Sequence, residues 1–71
     1  MRMDARLLDE MIVARGMKYS FLARELGLSN YGFYKKRVGQ TEFTASEVAA
    51  LSRLLALPQD VRDAIFFCEC P

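Results

Sequence analysis

The chain contains no histidine, and its only two cysteines, Cys68 and Cys70, lie in the closing segment "CECP". Without histidine it lacks the commonest general base and metal ligand. Two thiols are too few for a tetrahedral zinc site within one chain, and two residues apart is poor geometry for a disulfide. A reduced tail is the expectation. The four glycines form no phosphate-binding loop, and the carboxylates show no grouping that suggests a pocket. Enzymatic activity, a cofactor and a small-molecule substrate are therefore not expected. No apolar run approaches a bilayer's thickness. Arg2, Asp4 and Arg6 precede any apolar stretch, so no signal-peptide pattern opens the chain. A cytoplasmic location with no membrane partner is expected. There is also little net charge: the balance is +1 at pH 7. Any case for a nucleic-acid partner must come from local clustering.

What remains is a chain of 71 residues, 52% of them apolar, enough for one domain around a small core. No segment alternates with the period of a strand, and helix punctuation recurs throughout. Asp4 is placed to cap a first helix, with Met3 and Leu8 as a hydrophobic staple. Leu7, Leu8, Met11 and Ile12 follow at helical spacing, and Gly16 stops the run. A second helix is expected over about Tyr19 to Leu26, with Leu22, Ala23 and Leu26 inward and Gly27 ending it. Lys18 is a poor cap for it. Ser29 caps a third helix that stops before Gly39, with Phe33 inward. In "TEFTASEVAALSRLL", Thr44 and Glu47 match a capping box, and Phe43 and Val48 a staple. Val48, Leu51 and Leu55 form the inward row. Pro58 is read as the first residue of a fifth helix, from which Val61, Ile65 and one of Phe66 or Phe67 pack. The expected fold is all-α, five short helices in a single domain, and at these lengths each depends on the shared apolar faces.

The third helix, "SNYGFYKKR", fits neither an ordinary solvated face nor a core. Two tyrosines, an asparagine and Lys35-Lys36-Arg37 share it. Such a basic-aromatic face points to nucleic acid; the plainer alternative is a solvated charged helix whose tyrosines cover neighbouring core. Arg15 and Arg24 read as solvated or paired with Asp9, Glu10 or Glu25.

Over Tyr19 to Gly39, "YSFLARELGLSNYGFYKKRVG", the chain resembles the helix-turn-helix of the phage lambda repressor and Cro class, the XRE type, with the motif at about 19–38. "FLARELGLS" is similar to that family's second helix and turn. "EFTASEVAALSRLLAL" and the terminal "IFF" extend the similarity from Leu7 to Phe67. The resemblance implies a five-helix DNA-binding domain, commonly dimeric, acting in transcriptional control. In that class the third helix enters the major groove. By that correspondence Asn30, Tyr31, Tyr34 and Lys35 would face base edges, while Lys18, Tyr19, Ser29, Lys36, Arg37 and Gln40 would meet phosphates. Gly32 would permit close approach. The sequence departs from the family at Tyr19, often glutamine there; at Lys36, often a buried aliphatic residue; and at Lys18, often threonine.

Phe66 and Phe67 point about 100° apart on a helix, so one ring is left over as a candidate for a homodimer interface. Duplex DNA is the expected partner of a Cro-like regulator with no second domain. The alternative is a protein-interaction module on the same fold, such as an antitoxin or a phage-encoded inhibitor. A remoter reading joins Cys68 and Cys70 of two chains around a metal.

Overall fold

The computed structural model describes residues 3–67, and the cysteine tail lies outside the described residues. Five helices follow in order: α1 (Ala5–Ala14), α2 (Tyr19–Glu25), α3 (Asn30–Arg37), α4 (Ala45–Leu54) and α5 (Gln59–Phe66). No strand occurs among the described residues. None of their helices is long and apolar enough to cross a membrane.

The helix starts follow the side chains at their caps. Asp4 accepts a hydrogen bond from the Leu7 N–H, and Ser29 accepts one from the Gly32 N–H. Thr44 and Glu47 complete a capping box, each side chain satisfying the other's backbone N–H. Lys18 makes no side-chain cap to α2. Pro58 sits one position earlier than the sequence suggested: it is the N-cap of α5, and Gln59 is its first helical residue. Its backbone stays extended at ψ 156°, the conformation of a residue that precedes a helix rather than belongs to it.

The first four helices share one closure. After α2, the Leu28 N–H donates to the Ala23 carbonyl and the Gly27 N–H to that of Arg24, a Schellman motif that requires a left-handed residue at Gly27, whose φ is +72°. Four residues thus join α2 to α3. α4 closes in the same way with Leu57 on Ser52 and Ala56 on Arg53, but here the left-handed residue is alanine, at φ 51°.

The core joins all five helices: Leu8 and Ile12 from α1, Leu22 and Ala23 from α2, Phe33 from α3, Leu51 and Leu55 from α4, and Ile65 and Phe66 from α5. Phe43, before α4, bridges the third and fifth helices: its ring is 6.1 Å from that of Phe33 and 5.9 Å, edge-on, from that of Phe66. Such tilted and edge-to-face pairs add about 0.5–1.5 kcal/mol each beyond burial. Polar contacts lock the periphery. The Asp4 N–H donates to the Ile65 carbonyl at 2.7 Å, fastening the start of α1 to α5. Arg15 is exposed, as expected, and is not paired with an acid; its Nε also donates to the Leu55 carbonyl at 2.8 Å. That carbonyl belongs to the end of α4, where no further turn supplies an N–H.

Phe66 departs from the expectation for the interface pair. It is only 6% exposed and completes the core, while Phe67 beside it is 46% exposed. The 100° step between neighbours allows one ring inward, and contact with Phe43 decides which.

Candidate nucleic-acid interface

α3 is held by a single deep anchor. Phe33 is 1% exposed, and α2 and α1 pack on the helix that carries it. Tyr31 and Tyr34 share a face one turn apart, away from Phe33, and both are exposed, as is Asn30 in the first turn. Lys35 is half-buried, its Nζ 5.2 Å from the centre of the Tyr31 ring. The Tyr31 and Tyr34 rings lie 6.3 Å apart at an interplanar angle of 19°. The four side chains assigned to base edges therefore form one continuous strip. Neither tyrosine hydroxyl, nor the Asn30 amide, makes a hydrogen bond within the described residues. Their donors and acceptors remain available.

Gly32 has a local role beside the one assigned to it. A Cβ there would lie 3.1 Å from the capping Ser29 Oγ, closer than an ordinary van der Waals contact. Glycine at this position keeps the α3 cap uncrowded.

The cations behind the strip are engaged in a way the sequence did not announce. Lys36, assigned to phosphate, pairs with Glu47 in the free chain, Nζ to Oε1 at 2.6 Å, with both side chains largely buried. The same Glu47 oxygen accepts the Thr44 N–H at 2.9 Å. Burial pushes the Glu47 carboxyl up, but hydrogen bonds from Lys36 and Thr44 outweigh it and hold the group below its ordinary value. Lys36 thus ties the end of α3 to the start of α4 where an aliphatic residue would pack by contact alone.

Arg37 donates from Nη1 to Asp9 Oδ1 at 3.2 Å and is 18% exposed. Its guanidinium stacks 4.0 Å over the Tyr19 ring and lies 5.6 Å from that of Tyr34, within the range of a cation–π attraction. The Tyr19 hydroxyl, assigned to phosphate, donates to the same Asp9 oxygen. That hydrogen bond, then burial and the Asp9 charge, raise the Tyr19 phenol above its ordinary value. Asp9, Tyr19 and Arg37 make one cluster joining α1, α2 and α3. Asp9 and Glu47 are the polar residues that sequence reasoning missed as partners of this helix, because their partners are 28 and 11 residues away.

Of the remaining phosphate assignments, Lys18 is exposed at the N-cap of α2, Ser29 at the N-cap of α3, and Gln40 after the end of α3. Neither Lys18 nor Lys35 forms an ion pair among the described residues. The strip is uncharged apart from Lys35, with Arg37 neutralised at its back.

Comparison of the chain with protein families, curated proteins and solved structures finds no match.

Proposed function

We propose that the chain is a sequence-specific duplex-DNA-binding regulator. α2, its turn and α3 act as a helix-turn-helix of the Cro and lambda-repressor kind, and α3 enters the major groove. The observation that carries this reading is the strip Asn30, Tyr31, Tyr34 and Lys35, outward on a helix anchored by Phe33, with its hydrogen-bonding groups unspent. Asparagine suits the N6 and N7 edge of adenine, and lysine the O6 and N7 of guanine. The tyrosine rings offer apolar contact and the hydroxyls hydrogen bonds. Lys18, Gln40 and the backbone N–H groups near Ser29 serve phosphates, which fix register without reading sequence.

The paired state of Lys36 and Arg37 changes the expected electrostatics. Each phosphate neutralised contributes about 0.9 to the slope of log affinity against log salt. Lys18 and Lys35 alone give a slope of about 1.8 per chain; with Lys36 and Arg37 released to DNA it would approach about 3.6. Fluorescence anisotropy of a labelled duplex at several salt concentrations measures this. A slope near the lower figure supports base-directed binding with the ion pairs intact. No duplex binding at any salt contradicts the proposal.

A second reading has an observation of its own. Tyrosine and arginine are enriched at protein-binding hot spots, and Tyr31, 67% exposed, lies beside Tyr34 and the stacked Arg37. A protein-interaction module on this fold would use the same strip and show little dependence on salt.

The regulator reading includes a homodimer through the face around Phe67. A groove of about 770 Å³ runs beside that ring, lined by residues that include Val38, Phe43, Val48, Arg62 and Phe66. In a two-fold arrangement each Phe67 enters the groove of the other chain, since such an interface uses one patch twice. Two reading helices about 34 Å apart would meet successive turns of DNA.

A further inference from the structure

Within α3, two aromatic side chains stay outside the core: Tyr31 is 67% exposed and Tyr34 43%. Their rings lie 6.3 Å apart and within 19° of parallel. A cation lies over each of them, Lys35 Nζ at 5.2 Å from the centre of Tyr31 and the Arg37 guanidinium at 5.6 Å from that of Tyr34. These cation–π contacts hold the rings against the helix, so the pair makes one apolar slab rather than two loose side chains. Contiguous apolar surface of this kind marks a contact site. The chemistry of the contact follows from the layout of a tyrosine. An apolar ring edge stands next to a hydroxyl that both donates and accepts hydrogen bonds. One base edge in the major groove has the matching layout, a pyrimidine with a methyl group at C5 beside the exocyclic group at C4. Thymine presents that methyl beside the O4 acceptor, and 5-methylcytosine presents it beside the N4 donor. Purines and unmethylated cytosine present no methyl there.

We propose that Tyr31 and Tyr34 together read the C5-methyl groups of pyrimidines. The proposal rests on the duplex-DNA reading above and specifies its target. The resemblance to the Cro class implies only that these positions face bases; the feature they recognise comes from the paired rings. Ring carbons bury the methyl, and the hydroxyl turns to the exocyclic group beside it. The shared chemistry is the C5-methyl, and its source is thymine or 5-methylcytosine. A phenol serves O4 and N4 alike, so both sources fit the slab, and the experiment separates them.

The test starts from duplexes that the full chain selects out of a random pool. Thymines of a selected duplex are replaced singly by deoxyuridine, which removes the methyl alone, and cytosines are methylated singly at C5. Fluorescence anisotropy gives the affinities of the unaltered chain, Tyr31→Ala, Tyr34→Ala and Tyr31→Phe. Both rings are exposed, so the variants should fold, which circular dichroism checks. Burying one methyl is worth about 4-fold in affinity. At one or more positions, loss of a thymine methyl should weaken binding, or gain of a cytosine methyl strengthen it, by about 4-fold. Tyr31→Ala or Tyr34→Ala should abolish that dependence, while Tyr31→Phe, which keeps the ring, should retain it. The base at which the effect appears identifies the source. A duplex bound selectively but insensitive to every methyl overturns the proposal and leaves the DNA reading standing. So does a methyl effect of unchanged size in both alanine variants, because it then arises from the DNA itself or from another residue. If the pool yields no selected duplex, the DNA reading fails, the methyl reader falls with it, and the strip is left to a protein partner.

Discussion

Ala56 occupies a conformation that L-residues other than glycine seldom adopt, with φ 51°. The Schellman closure of α4 forces it there, because the Leu57 and Ala56 N–H groups turn back to Ser52 and Arg53. A side chain in this region costs about 1–2 kcal/mol. Glycine would relieve that cost but lose about 0.4–1 kcal/mol through a more flexible unfolded chain. Ala56→Gly should therefore stabilise the domain by up to about 1.6 kcal/mol, the difference of those two ranges, read from urea denaturation at unchanged m-value. At the same scale, sequence reasoning succeeded where the physics was local. Asp4, Ser29 and Thr44 cap bonds that close within three residues, so the spacing itself carries the signal. Phe33 was legible as an anchor because its apolar ring stands alone between polar neighbours. The choice between Phe66 and Phe67 was not legible, since it depends on Phe43 arriving from another part of the chain.

At the scale of the element, α3 buries a single residue, Phe33, and its polar side chains divide between exposed and ion-paired. Its start carries the free side chains. Its end carries Lys36 and Arg37, tied to α4 and α1 through Glu47 and Asp9. Three consecutive cations suggested one basic patch because pairing across 11 and 28 residues leaves no trace in sequence spacing. The capping box was readable as a local motif, but its Glu47 also accepts Lys36, and that second role was hidden. The Glu47 carboxyl is held below its ordinary value. The unfolded chain thus binds its proton at higher pH than the folded one, so the stabilisation is present above the ordinary glutamate range and is lost as pH falls through the depressed folded value. Glu47→Gln should lower stability at neutral pH and flatten its fall below about pH 4.3, the unperturbed glutamate value. Thermal unfolding of both proteins from pH 7 to pH 3 measures this; parallel curves would show that the pair contributes nothing to the acid limb.

At the scale of the molecule, a domain 31 × 23 × 20 Å in extent has two faces to which partners are proposed: the α3 strip and the groove beside Phe67. Phe67 is exposed and outside the core, so Phe67→Ser should leave the monomer folded. Sedimentation equilibrium should show a dimer for the unaltered chain at high micromolar concentration and a monomer for Phe67→Ser. A monomeric unaltered chain would remove the two-fold arrangement while leaving α3 untouched.

The central claim concerns which of these faces meets DNA. Backbone ¹H–¹⁵N shifts of the labelled chain, followed as a duplex is added at low salt, address it directly. The account predicts perturbations concentrated at Asn30, Tyr31, Tyr34 and Lys35, extending to Lys18 and Gln40, with α4 and α5 largely silent apart from dimer contacts. Perturbations absent throughout, or gathered on other surfaces with α3 unchanged, would contradict it.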